Sequence, residues 1–150
     1  MPMKYEISIE INKSLEAVIK AFDNADNLKR WQPTLESVTF ISGVPGEVGA
    51  ETKLVYNEGK GVIELVEKIT ENRLPDYFAA TYYSKTTTTY NKNWFESKED
   101  NVTLWTIHTE IVFNGFLKFL APLMKKHMKK TSEQFLTNFK IFAEGRVHKS

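Results

Sequence analysis

The groups that acid/base chemistry needs are carried in this chain by Tyr56, Glu67, His108, Glu110 and His127. His108 and Glu110 lie two apart in a run that alternates like a strand, so they share a face. A carboxylate beside an imidazole is a workable proton-transfer pair. The other face of that run carries Trp105, Ile107, Thr109, Ile111 and Phe113. The more apolar face belongs inside, which places His108 and Glu110 on the solvent side. Glu67 shares a face with Ile63, Leu65 and Ile69, so its carboxyl is expected to point inward, where it needs a partner or a raised pKa. Tyr56, or a tyrosine from the 77–83 run, can supply the hydrogen bond, and both a structural and a catalytic role stay open. His127 falls on the apolar stripe of a C-terminal helix. It reads either as a satisfied core or stripe-edge histidine or as a proton carrier facing a cavity.

Other chemistries find no support in the sequence. There is no cysteine, no His-x-x-x-His and only three scattered histidines, so no metal site and no cofactor are assigned. Gly43-x-x-Gly46-x-x-Gly49 links two strands and does not open a helix, so it is no phosphate loop. Net charge is +1, too small to steer the protein to nucleic acid. Lys125-Lys126-His127-Met128-Lys129-Lys130 invites a membrane or nucleic-acid reading, but it reads better as a solvated helix face. No apolar run approaches the roughly 20 residues of a membrane span, and the alternating N-terminus, MPMKYEISIE, does not have the form of a signal peptide. The expectation is a cytoplasmic chain without nucleic-acid partners or stable membrane association. The sequence assigns no oligomeric state.

The elements that must position these groups follow from periodicity. Lys4 to Ile11 alternates, with Tyr5, Ile7, Ile9 and Ile11 on one face. A helix capped within 12–14 follows, with Leu15, Val18, Ile19 and Phe22 as its inner stripe. Asp23 or Asn24 opens a second short helix, with Leu28 and Trp31 inward and Pro33 as its stop. Strands are predicted at about 35–42, 49–57, 60–71, 76–85, 87–98 and 102–113, joined by short turns, hence antiparallel neighbours. Register within 76–84 and 90–96 is left open because both faces are mixed. Residues 116–144 are predicted helical, with Leu120, Leu123, Met124, His127, Met128, Thr131, Phe135, Phe139 and Phe142 as one inner stripe. Pro122 either starts or kinks this helix, and Gly145 is its expected C-terminal cap. The whole chain, 1–150, reads as one α+β domain: a curved seven-stranded antiparallel sheet wrapped around a long C-terminal helix. A curved sheet can stand off from that helix and leave a ligand cavity.

Taken in order, several motifs make the chain resemble the START-like, or Bet v 1-like, helix-grip superfamily, in its SRPBCC, polyketide cyclase/dehydrase-like bacterial branch. They are Asp26-x-Leu28-x-x-Trp31-x-Pro33, Gly46-x-x-Gly49-Ala50, Glu67-Lys68-Ile69 and Thr103-x-Trp105. Phe113-x-Gly115-Phe116 and Phe139-Lys140-x-Phe142-Ala143-Glu144 complete the set. The resemblance spans essentially the whole chain. It implies an internal cavity for hydrophobic or amphipathic molecules and carries no shared catalytic residue set, since some relatives are cyclases or dehydratases and many only carry or sense ligands. The resulting expectation is binding of a small hydrophobic or amphipathic molecule without covalent chemistry. Its contacts would be Phe22, Trp31, Phe40, Leu54, Tyr56, Ile63, Leu65, Trp105, Ile107, Leu123, Met124, His127 and Met128, with Trp31 at the cavity lid. The alternatives are a cyclase/dehydratase-like enzyme drawing on the acid/base groups above and, more weakly, a protein-interaction or cochaperone-type module.

Overall fold

The computed structural model describes residues 2–59 and 61–145. Strand β1 (Met3–Ile11) leads into helix α1 (Leu15–Phe22), a 3-10 turn (Ala25–Asn27) and the one-turn helix α2 (Leu28–Trp31). Six strands follow: β2 (Leu35–Ser42), β3 (Glu51–Asn57), β4 (Val62–Arg73), β5 (Tyr77–Tyr83), β6 (Thr87–Glu99) and β7 (Val102–Phe113). A 3-10 turn (Gly115–Phe119) then precedes helix α3 (Ala121–Ala143). Lys60, predicted to open the fourth strand, lies outside the described residues, as do Met1 and residues 146–150 of the expected domain.

All strand pairs are antiparallel and form one seven-stranded sheet in the order β1-β7-β6-β5-β4-β3-β2. Its two edges, β1 and β2, are successive in sequence, so α1 and α2 span the sheet from one edge to the other. The Ser14 hydroxyl accepts from the Ala17 N–H at 3.2 Å and caps α1. Edge strand β2 is irregular, with register shifts between Leu35 and Ser37 and between Phe40 and Ser42. Gly43 closes the β2–β3 turn at φ 88°, and a Cβ there would stand 2.8 Å from the Ala50 Cα, so both the turn and the close approach call for glycine.

The last helix is shorter than expected. Residues 116–119 belong to the 3-10 turn, and Pro122 stands in the first turn of α3, so it starts the helix rather than kinking it. At the other end the Gly145 N–H bonds the Phe142 carbonyl at 3.0 Å with φ 69°, the glycine ending expected. The core joins β1, β6, β7, α1, Trp31 and α3. Trp105 lies at its centre, with Phe22, Trp31, Phe95 and Phe139 rings at 5.6, 6.4, 5.5 and 5.1 Å. Helix α3 runs closest to β1, with lesser approaches to α1 and α2, and makes no comparable approach to β2–β5. Helix α3 therefore does not close over β2–β5, and β5 is covered instead from α1, whose Phe22 ring lies 5.6 Å from Phe78.

A two-chambered cavity between sheet and helix

Two adjoining chambers lie on the inner face of the sheet, one under α3 and one under the segment that holds α1 and α2. The inner chamber, about 260 Å³, lies between β3–β7 and α3, with Ile63, Leu65, Trp105, Ile107, Phe135 and Leu136 among its apolar walls. The outer chamber, about 630 Å³, lies between the Phe22–Gln32 segment and β2–β5, with Phe40, Leu54, Ile69 and Phe78 on its walls. Phe22, Trp31, Gln32, Tyr56 and Tyr82 border both. A hydrogen bond crosses that boundary: the Tyr56 hydroxyl donates to Gln32 Oε1 at 2.5 Å, tying the C-terminal end of α2 to β3.

Polar groups on the walls are mostly paired. Along β6 the inward positions are Thr89, Asn91 and Asn93. Asn93 accepts from the Trp105 indole N–H at 3.0 Å and donates to the Phe78 carbonyl at 3.1 Å. Asn91 accepts from the Thr109 hydroxyl at 2.9 Å. The Tyr5 and Ser132 hydroxyls meet at 2.7 Å, joining β1 to α3 at the edge of the inner chamber. The Trp31 indole N–H, in contrast, is buried and has no hydrogen-bond partner among the described residues. Such an orphan donor is uncommon and suits an acceptor arriving from outside the chain.

In the outer chamber the Tyr82 hydroxyl donates to Glu67 Oε2 at 2.8 Å. Burial raises the Glu67 pKa, and the Tyr82 hydrogen bond only partly offsets this. Burial also lifts Tyr82 and Tyr56, and the nearby Glu67 charge pushes both further up. Glu58, Asp23, Asp26 and Glu67 are the acidic residues of the walls; no Lys, Arg or His lines either chamber among the described residues. No group of three or more metal-ligating side chains is present among them either.

Of the expected contacts, Phe22, Trp31, Phe40, Leu54, Tyr56, Ile63, Leu65, Trp105 and Ile107 lie on these walls. The four expected from α3 do not. Leu123 is 81% exposed, His127 is exposed, and Met124 and Met128 pack against the core cluster. Helix α3 meets the cavity further along, through Ser132, Phe135 and Leu136. The physical reason lies in the helical turn. Ala121, Met124 and Met128 are on the inward stripe of α3 but pack on the core ahead of the cavity, whereas Leu123 and His127, each one residue and about 100° round from a methionine, turn toward solvent. Trp31 is 6% exposed and forms a partition between the chambers rather than a lid. His108 and Glu110 sit on the outer face as expected, Glu110 3.9 Å from Lys4. Glu67 and Tyr56 are thus the acid/base candidates brought to one chamber. Thr109 lies inward as expected, and Tyr82 is the tyrosine of the 77–83 run that meets Glu67; the remaining polar wall of Gln32, Asn91, Asn93 and Ser132 was not anticipated, and only the mixed face of β6 hinted at it.

A curved sheet gripping a C-terminal helix over a divided, largely apolar cavity defines a helix-grip container. The family model for "Polyketide cyclase / dehydrase and lipid transport" matches residues 2–144, and the chain belongs to that family, within the SRPBCC helix-grip superfamily. No curated protein matches the sequence significantly. Solved structures share the fold at low identity. An aromatase/cyclase, Zhui from Streptomyces sp. R1128, superposes with a TM-score of 0.82 at 10% identity, covering 99% of this chain and 97% of that one. A START superfamily protein from Mycobacterium smegmatis gives 0.81 at 10% identity, covering 95% and 98%. Norcoclaurine synthase from Thalictrum flavum, in complex with dopamine and hydroxybenzaldehyde, gives 0.73 at 13% identity, covering 99% and 90%.

Proposed function

We propose that this protein binds one small hydrophobic or amphipathic molecule across the two chambers, in a reducing cytoplasm that suits its lack of cysteine, and performs no covalent chemistry on it. The observation that carries this reading is the pair of chambers, about 260 and 630 Å³, with aromatic walls and a few fixed polar groups. Volumes of several hundred Å³ with that lining are typical of small-molecule sites. The acid-only wall narrows the class. A ligand carboxylate would meet Glu58 or Glu67 with no compensating cation, so a neutral or cationic molecule with an aromatic or alicyclic body fits better. Norcoclaurine synthase, of the same fold, is solved in complex with dopamine and hydroxybenzaldehyde.

The test is a fluorescence titration with Nile red, a neutral polarity-sensitive probe. Saturable one-site binding is expected, weakened about tenfold by Leu65→Trp, which fills the inner chamber. Absence of saturable binding to the unmodified protein would refute the reading. One observation favours a second reading, an acid/base enzyme of the cyclase/dehydratase kind. Glu67, a carboxyl held by Tyr82 with its pKa raised by burial, is equipped to act as a general acid. Turnover of a polyketide-like substrate that is lost in Glu67→Gln while Nile red binding persists would favour that reading over the first.

A further inference from the structure

The turn into α3 presents an apolar surface with no cover. Phe116, Phe119, Leu120 and Leu123 are 75%, 70%, 37% and 81% exposed, and the Phe116 and Phe119 rings lie 6.2 Å apart. Single exposed hydrophobics are ordinary, but a contiguous group of large ones marks an interaction site. The same segment packs inward through Leu117, Ala121 and Met124. Both its faces are therefore apolar, and the outward face is displayed on an anchored support.

The charge around this face has one sign. Lys118, Lys125, Lys126, Lys129 and Lys130 are all exposed, and residues 111–132 contain no Asp or Glu. The Lys118 ammonium lies 5.4 Å from the Phe119 ring centroid. Over the whole chain the net charge is only +1, so this positive field is local. Exposed Phe and Leu ringed by Lys complement an anionic lipid surface: rings enter the headgroup boundary and ammonium groups meet phosphates. A protein partner would need a matched acidic, apolar groove, whereas a bilayer supplies both features without shape matching.

The location links this face to the cavity. The β7 end that carries the turn is at the same end of the sheet as the β3–β4 hairpin: Phe113 opposes Thr87, Tyr83 opposes Thr88 and Val66 opposes both Tyr83 and Lys53, and from there β3 and β4 run on to the hairpin pair Asn57 and Val62. Glu58 and Ile63 of that hairpin line the inner chamber and are themselves exposed.

We propose that the Phe116–Leu123 turn is a reversible docking tip for anionic membrane surfaces, seating the protein with the hairpin end of its cavity toward the bilayer. The surface is tested on the full chain by sedimentation with phosphatidylcholine vesicles, with and without about 30% phosphatidylserine. Binding to the anionic vesicles is expected, weakening as salt rises. A Phe116→Ser/Phe119→Ser/Leu123→Ser variant and a Lys125→Glu/Lys126→Glu variant should each bind at least about tenfold more weakly. These side chains are exposed, and unchanged circular dichroism would confirm that folding is retained. Failure to bind anionic vesicles, equal binding to both vesicle types, or wild-type affinity in the serine variant would each overturn the proposal. So would a wild-type dimer, converted to monomer by the serine variant, that ignores vesicles; the tip would then join two copies of this chain.

Discussion

The two halves of the sheet obey different rules. On β7 burial alternates strictly: Thr103, Trp105, Ile107, Thr109, Ile111 and Phe113 are 0–8% exposed, with every intervening residue more open. On β4 only Ile69 is buried, while Val62 and Ile63 are 59% and 43% exposed. Both strands are β-rich in composition and sit in the same sheet. They differ in what lies above them: β1, β7 and β6 meet α1, Trp31 and Phe139, whereas the inward face of β2–β4 borders the two chambers. Stability is thereby concentrated in one half of the molecule, and open apolar surface for a ligand in the other.

This contrast can be broken by mutation. Phe139→Ala removes a fully buried ring that touches Phe22, Trp31 and Trp105. It should cost about 3–5 kcal/mol, against less than about 1.5 kcal/mol for Leu65→Ala on the cavity wall. Urea unfolding of the two variants measures the gap, and equal losses would erase the distinction between the halves. A smaller effect is expected from Tyr56→Phe, which deletes the bond to Gln32. A loss of about 0.5–1.5 kcal/mol should appear in the same assay, with faster amide exchange at the end of α2. Unchanged exchange there would mean that the tie does not hold α2 to the sheet.

The smallest expected effect is on pH dependence. Burial raises the Glu67 pKa, so the folded chain holds this proton more tightly than the unfolded chain does. Stability therefore falls as pH rises from the unfolded carboxyl pKa through the raised folded one. Glu67→Gln removes that loss. The variant should gain on the wild type as pH rises, by under about 1 kcal/mol, and match it in acid, where both carboxyl states are protonated. Thermal melts across that range would expose a parallel pair of curves if Glu67 had no such role.

What was legible in the sequence follows the same division. Trp105, Ile107 and their alternating neighbours declared the inner face of β7 because a dry core needs apolar side chains on one side only. β6 defeats that rule. Its outward positions include Tyr90 and Trp94, 42% and 41% exposed, while Thr89, Asn91 and Asn93 line the cavity. A polar wall facing a cavity looks like a solvent face when read by composition. Glu67 was placed inward correctly because Leu65 and Ile69 flank it, but its partner could not be chosen until the β4–β5 register set it opposite Tyr82. On α3 the stripe was readable but drawn too wide: Leu123 and His127 sit about 100° round from Met124 and Met128 on the same helix and turn to solvent.

The irregular register of β2 bears on solubility. β2 is a free sheet edge, with Phe40 and Ile41 47% and 49% exposed. A straight edge of that kind is a template on which another copy's strand can add, the first step toward aggregation. The breaks at Leu35/Ser37 and Phe40/Ser42 bend the strand and interrupt its row of unpaired backbone groups. An incoming strand finds only a short matching stretch, and the open half of the container can keep its apolar surface without recruiting copies of itself.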